Sequence, residues 1–185
     1  MSTALLLMDI QSGVLERYPA DKREALLERV AAARGAARAA GLPVIYVRLA
    51  FREGSPEVSP RNPLFSRVAE ISGFGEHDPA NRVHPAVEPE QSDVVVVKRR
   101  ASAFSGSDLG VVLRSLDCTH LVLAGLATSG VVLSTLREAA DLDYELTVLL
   151  DACVDHDDEV HRVLCEKVFP LQAAVTTVAD WIVAL

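Results

Sequence analysis

The sequence predicts an α/β fold, a three-layer α/β/α sandwich around a parallel sheet, and three observations carry that reading. Short aliphatic runs recur along the chain, such as LLLM at 5–8 and VVVV at 94–97. Runs that are apolar at every position, rather than at every second one, mark strands covered on both faces. Segments of helical periodicity separate these runs, so the elements alternate as a βαβ series. Helix punctuation falls at the junctions where that series requires it.

Strands are expected at Ala4–Met8, Val44–Leu49, Val94–Val97, His120–Ala124, Leu146–Leu150 and Ala174–Thr177. The first long helix is read over Lys22–Ala40, with Asp21 as its cap and Gly41-Leu42-Pro43 as its stop. Leu109–Leu116, Val131–Leu142 and Glu159–Phe169 follow, the last capped by Asp157 or Asp158, and Val178–Leu185 closes the chain. The stretch 50–92 holds six of the nine prolines and is too long for an ordinary connection. It reads as a functional loop with a short helix near Pro63–Ile71. With no repeats and no linker, residues 1–185 form one domain.

Composition excludes several classes of function. A net charge of −8 argues against nucleic acid or an anionic membrane as partner. No apolar run reaches the roughly 18 residues of a membrane span. The start, MSTALLLMDIQSG, is read as a first strand and not as a signal peptide. Cys118, Cys153 and Cys165 are odd in number and lack metal or disulfide spacing, which predicts buried reduced thiols in a cytoplasmic protein.

In open α/β sheets, ligands bind outside the carboxyl ends of the strands. Asp9, Lys98, the turn 125–130 and Asp151 all fall there. An Asp and a Lys at neighbouring strand ends can keep each other charged or share a proton, the basis of acid–base catalysis. An ordinary ion pair at the sheet rim is the competing reading. Asp151 is read as structural, accepting loop N–H groups.

The segments LLLMDIQ, GLPVIYVR, DVVVVKRRASAFSGSDLGVVLRSL and LVLAGLATSGVVLSTLREAADLDYELTVLLDA, in that order, resemble the isochorismatase-like hydrolase superfamily. That group, also called the cysteine hydrolases, includes nicotinamidases, N-carbamoylsarcosine amidases and isochorismatases. The likeness covers nearly the whole chain and is weakest over 50–92. The expected sheet has six parallel strands in the order 3-2-1-4-5-6.

The resemblance implies an Asp–Lys–Cys triad in which Asp9 and Lys98 match the first two members. The third falls on Val131, so the nucleophile is absent. A non-proline cis peptide would be Leu126–Ala127, aiming N–H groups of the turn and of residue 131 at an oxyanion. Ser129 and Ser134 do not point where residue 131 points. Cys153, near the rim, is a displaced candidate; Cys118 lies at the far end of the sheet and Cys165 on a packing helix. The isochorismatase branch also lacks the Cys: there the Asp protonates a vinyl ether and water adds. Its Gln-bearing loop has no counterpart in YVRLAFREG. His77 and His84 fall outside the nicotinamidase metal pattern, so no metal and no cofactor are expected.

The expectation is a hydrolase of a small molecule that uses Asp9 and Lys98 for acid–base chemistry without a cysteine nucleophile. Gln11, Phe104, Leu126, Ala127, Thr128 and Val131 are the expected substrate-binding positions, and Phe51, Arg52, Phe65 and Phe74 would shape the pocket. The alternatives are a catalytically silent family member that binds a small ligand or forms an oligomer, and a hydrolase relocated to Cys153. The resemblance also implies a homo-oligomer, a dimer or larger.

Overall fold

Every apolar run identified in the sequence becomes a strand in the computed structural model, which describes residues 2–71 and 73–185. The order is β1 (Ser2–Met8), α1 (Ser12–Leu15), α2 (Ala20–Ala39), β2 (Val44–Leu49), α3 (Pro63–Glu70), β3 (Val94–Lys98) and α4 (Leu109–Ser115). There follow β4 (Cys118–Leu126), α5 (Leu133–Asp141), β5 (Glu145–Val154), α6 (Asp158–Val163), β6 (Ala174–Thr176) and α7 (Val178–Val183). All pairings are parallel and the sheet order is β3-β2-β1-β4-β5-β6. This is the three-layer sandwich read from the sequence.

The alternation of side chains along β1 explains the layers. Ala4, Leu6 and Met8 pack with Leu109, Leu113 and Leu136 of α4 and α5. Leu5 and Leu7 pack with Leu26, Val30 and Ala33 of α2 and with Trp181 of α7. Because successive strand residues point to opposite faces, five consecutive positions of β1 are wholly buried. Among the described residues no helix is long and apolar enough to cross a membrane.

Four local readings change. α2 begins two residues early, and Asp21 makes no capping bond; it stands in the first turn, where its charge favours the helix dipole. β4 and β5 run longer than their apolar cores. Leu123 pairs with Val148 but Gly125 with Cys153, so β5 bulges and carries Asp151 inside it rather than at its end. There Asp151 accepts the Val178 N–H at 2.8 Å, the structural role expected of it, while Asp155 becomes the rim residue. The helix read from Val131 opens as a wide π turn over Thr128–Val132. The helix read over Glu159–Phe169 loses α geometry after Val163, because Pro170 has no N–H and its ring would clash with the Glu166 carbonyl. Asp157 does cap α6, accepting from the N–H groups of Glu159 and Val160.

The long loop is ordered by a small core of its own. Leu49, Phe51, Phe65 and Phe74 are buried together, and the Phe51 and Phe65 rings meet edge to face at 6.2 Å. Asn81, fully buried, donates to the carbonyls of Leu49 and Gly73 and accepts from Arg48. These bonds fold the loop back over the carboxyl end of β2 and bring α3 to the rim where Asp9 lies.

Candidate functional site

β1 ends at Met8, and Asp9 adopts a left-handed backbone (φ 58°) with its N–H bonded to the Val47 carbonyl at 2.8 Å. That conformation is uncommon for a residue with a side chain, although Asp tolerates it better than most. It turns Asp9 toward the end of β3, across the end of β2. Lys98, 1% exposed, closes β3. Its ammonium lies 2.9 Å from Asp9 Oδ2 and donates to the carbonyls of Arg100 at 3.0 Å and Ala101 at 3.1 Å. All three N–H groups of the lysine are committed.

Asp9 Oδ1 is different. It is buried and has no hydrogen-bond partner among the described residues. Burial raises the proton affinity of the Asp9 carboxyl, and outweighs the opposing pull of the Lys98 charge, of its hydrogen bond and of the nearby Leu49 N–H, whose own hydrogen bond goes to Gln11. A buried acceptor without a donor is costly, unless a proton or a ligand occupies it.

Asp9 and Lys98 border a cavity of about 240 Å³. On one side stand Leu126, Ala127 and Val131, and the Leu126–Ala127 peptide is cis. Gly125 precedes them at φ 144°, and a Cβ there would meet the Met8 carbonyl oxygen at 2.1 Å. Only glycine lets β4 approach β1 this closely. The turn spends several of its own donors: Ser129 N–H bonds to Asp155 at 2.7 Å, and those of Gly130 and Val132 to the Ala127 carbonyl. Two of the turn's N–H groups, those of Ser129 and Gly130, are thereby taken away from an oxyanion.

The structure brings Asp9, Lys98, Leu126, Ala127 and Val131 to one cavity; Gln11, Phe104 and Thr128 do not line it. Gln11, fully buried, clamps the end of β2, donating to the Leu49 carbonyl at 3.0 Å and accepting its N–H at 2.9 Å. Thr128 points to His161 Nδ1 at 2.8 Å, and Phe104 packs against Tyr144 with ring centres 6.1 Å apart. Of the four loop residues, Phe65 and Phe74 are walls. Phe51 lies behind Phe65, and Arg52 is held outside by Glu57 at 2.6 Å.

Two groups of wall residues escaped the sequence reading. Tyr18 and His156 stack at 4.1 Å beside the cavity, and nothing in their separation along the chain announces that contact. Burial first, then the carboxylates of Asp155 and Asp9, push the Tyr18 phenol up, so it stays a neutral O–H donor. Leu64, Val68 and Ile71 form the other wall. Their spacing of four and three residues was a readable signal of one helical face.

The three thiols sit elsewhere. Cys153 borders a separate cleft with Asp155 and His161, and burial pushes its thiol well up. Burial pushes Cys165 up to about 11 and also raises Cys118. Among the described residues no group of three or more His, Cys, Asp or Glu side chains could hold a metal ion. His84 accepts the Ala86 N–H in a turn, and His77 lies on a different cleft.

Comparison with known proteins agrees with this architecture. Residues 3–180 match the model of the isochorismatase domain. An uncharacterised isochorismatase family protein of Escherichia coli O157:H7, YecD, is 30% identical, covering 100% of this chain and 96% of that protein. The ureidoacrylate amidohydrolase RutB of Methylobacterium radiotolerans is 29% identical over 100% of this chain and 80% of its own length. A crystal structure of a cysteine hydrolase from Pseudomonas syringae pv. phaseolicola superposes with a TM-score of 0.89 at 27% identity, covering 97% and 90% of the two chains. The chain belongs to the isochorismatase family of hydrolases.

Proposed function

We propose that this hydrolase acts on its small-molecule substrate by proton transfer at Asp9, with no covalent cysteine intermediate. The observation that carries the reading is Asp9, which borders the cavity with Oδ1 buried and unpartnered among the described residues and its sister oxygen held by Lys98. In its protonated state Asp9 donates that proton to the substrate atom that becomes the leaving or saturated centre. The carboxylate so formed is stabilised by Lys98 and takes a proton from the attacking water, whose oxygen bonds to the substrate. The acid is restored, and the net change is addition of one water. Val131 supplies shape at the position where the resemblance places a thiol. The buried, unbridged thiols also support a reducing, cytoplasmic setting.

The test is turnover of a panel of small amides and enol ethers before and after iodoacetamide. Alkylation is expected to leave the rate unchanged, because the raised thiols of Cys153 and Cys165 are neutral at pH 7 and lie off the cavity. The rate should fall as pH rises through the elevated Asp9 value, since the protonated form is the acid. Inactivation that tracks modification of Cys153 would overturn the proposal.

A second reading, ligand binding without turnover, is favoured by one observation: Lys98 has no N–H left for a transition state. It predicts binding with no product from any member of the panel.

Placing a thiol at residue 131 gives an independent probe of the cavity floor. Val131→Cys is a small steric change, expected to cost about 1 kcal/mol or less. The helix start and Lys98 lower the pKa of such a thiol below about 8.5, against the pull of Asp9. It should react with iodoacetamide at least about tenfold faster than Cys165, even after the lower nucleophilicity of a weaker base is allowed for. Peptide mass spectrometry after a brief exposure checks this; equal labelling would mean that residue 131 does not face an open site.

A further inference from the structure

Resting on that reading of the site, we propose that the substrate is a small uncharged molecule with an apolar body, and that the site rejects its carboxylate analogue.

The apolar half of the argument comes from the walls. α3 and the segment after it contribute Leu64, Phe65, Val68, Ile71 and Phe74, and Val131 faces them across the cavity. Leu64 and Ile71 are 57% and 39% exposed. Large apolar side chains left in water around a concave site gain when an apolar ligand covers them. The cavity, at 240 Å³, falls below the roughly 300–1,000 Å³ of pockets for drug-sized ligands, so the body is small.

The uncharged half comes from counting donors. A buried carboxylate needs a cation with an N–H to spare. Lys98 is the deep cation, and its three N–H groups go to Asp9, Arg100 and Ala101. Arg17 stands at the solvent-exposed mouth, with Nε on the Gly13 carbonyl and the guanidinium 5.2 Å above the Phe74 ring. An ion pair formed there, in water, contributes little. At the floor an anion meets the Asp9 carboxyl, which either repels it or must share a proton with it. A carbonyl or ether oxygen, by contrast, needs only a neutral donor. Protonated Asp9 and Tyr18 are two such residues among those described at this cavity, while His156, like Arg17, stands on its solvent-exposed side.

The experiment compares three probes on the full chain by calorimetry: benzamide, benzoate of the same shape, and acetamide without the ring. Product formation is followed in parallel. Benzamide is expected to bind at least about tenfold tighter than either of the others. Leu64→Glu, at an exposed position that leaves the fold intact, should weaken benzamide at least about threefold. Benzoate binding as well as benzamide, acetamide matching it, no binding of benzamide, or an indifferent Leu64→Glu variant would each overturn the assignment. The two proposals fail separately. Selective benzamide binding without turnover of any substrate would count against the hydrolytic mechanism and leave this inference standing.

Discussion

Lys98→Met is expected to cost about 3–5 kcal/mol of unfolding free energy at pH 8, the usual penalty for removing one partner of a buried ion pair. The methionine fills most of the space, so lost packing is a minor part. What remains is a buried Asp9 carboxylate without its counter-charge, and the carbonyls of Arg100 and Ala101 without their donor. The pH dependence gives the effect its signature. Burial already raises the Asp9 carboxyl above its ordinary value, and loss of the lysine raises it further. A carboxyl whose folded pKa lies above its unfolded value of about 3.9 contributes stability below that value and loses it as pH rises through the folded pKa. The deficit of the Met variant should therefore shrink from pH 8 to pH 5. The double variant Asp9→Asn/Lys98→Met should recover part of the loss at pH 8, since it leaves no unpaired charge. Urea unfolding of the four proteins at the two pH values measures all of this. A cost below about 1 kcal/mol, or no change with pH, would show that the pair is solvated and not a desolvated site.

How legible this site was depends on which physical signal each residue carries. The strands were legible because a parallel sheet flanked by helices demands apolar runs, and β1 to β5 each contain one. Asp9 and Lys98 were legible for the same reason: a charge that ends such a run must lie at the rim. Gln11, Phe104 and Thr128 were misplaced because proximity along the chain to the rim says nothing of direction. The amide of Gln11 is drawn to both backbone groups of Leu49, and Thr128 is drawn to His161. In the case of Phe104, the ring finds Tyr144. The bulge that carries Asp151 into β5 and leaves Asp155 at the rim has no mark in the apolar pattern. Tyr18 on His156 is a contact between residues 138 positions apart, which only the closed sheet brings together.

Asp9→Asn is expected to lower turnover by about 100-fold or more on any substrate found, the contribution of a general acid or base. The substitution separates proton transfer from structure unusually well. Asparagine accepts the left-handed backbone that residue 9 requires, as readily as aspartate does. With its amide oxygen toward Lys98, it keeps the hydrogen bond now made at 2.9 Å, and its NH₂ takes the place of the buried, unpartnered Oδ1. Shape, backbone and the lysine contact survive, while the transferable proton is gone. Benzamide affinity should then change by less than about threefold, because an NH₂ donor replaces the protonated carboxyl, while kcat collapses. A structural role would give the opposite pattern, with stability and binding lost together and no separate effect on the chemical step. Steady-state kinetics beside calorimetry on the same preparation distinguishes them. If the Asn variant turned over at the wild-type rate, Asp9 would be an anchor for β3 and nothing more.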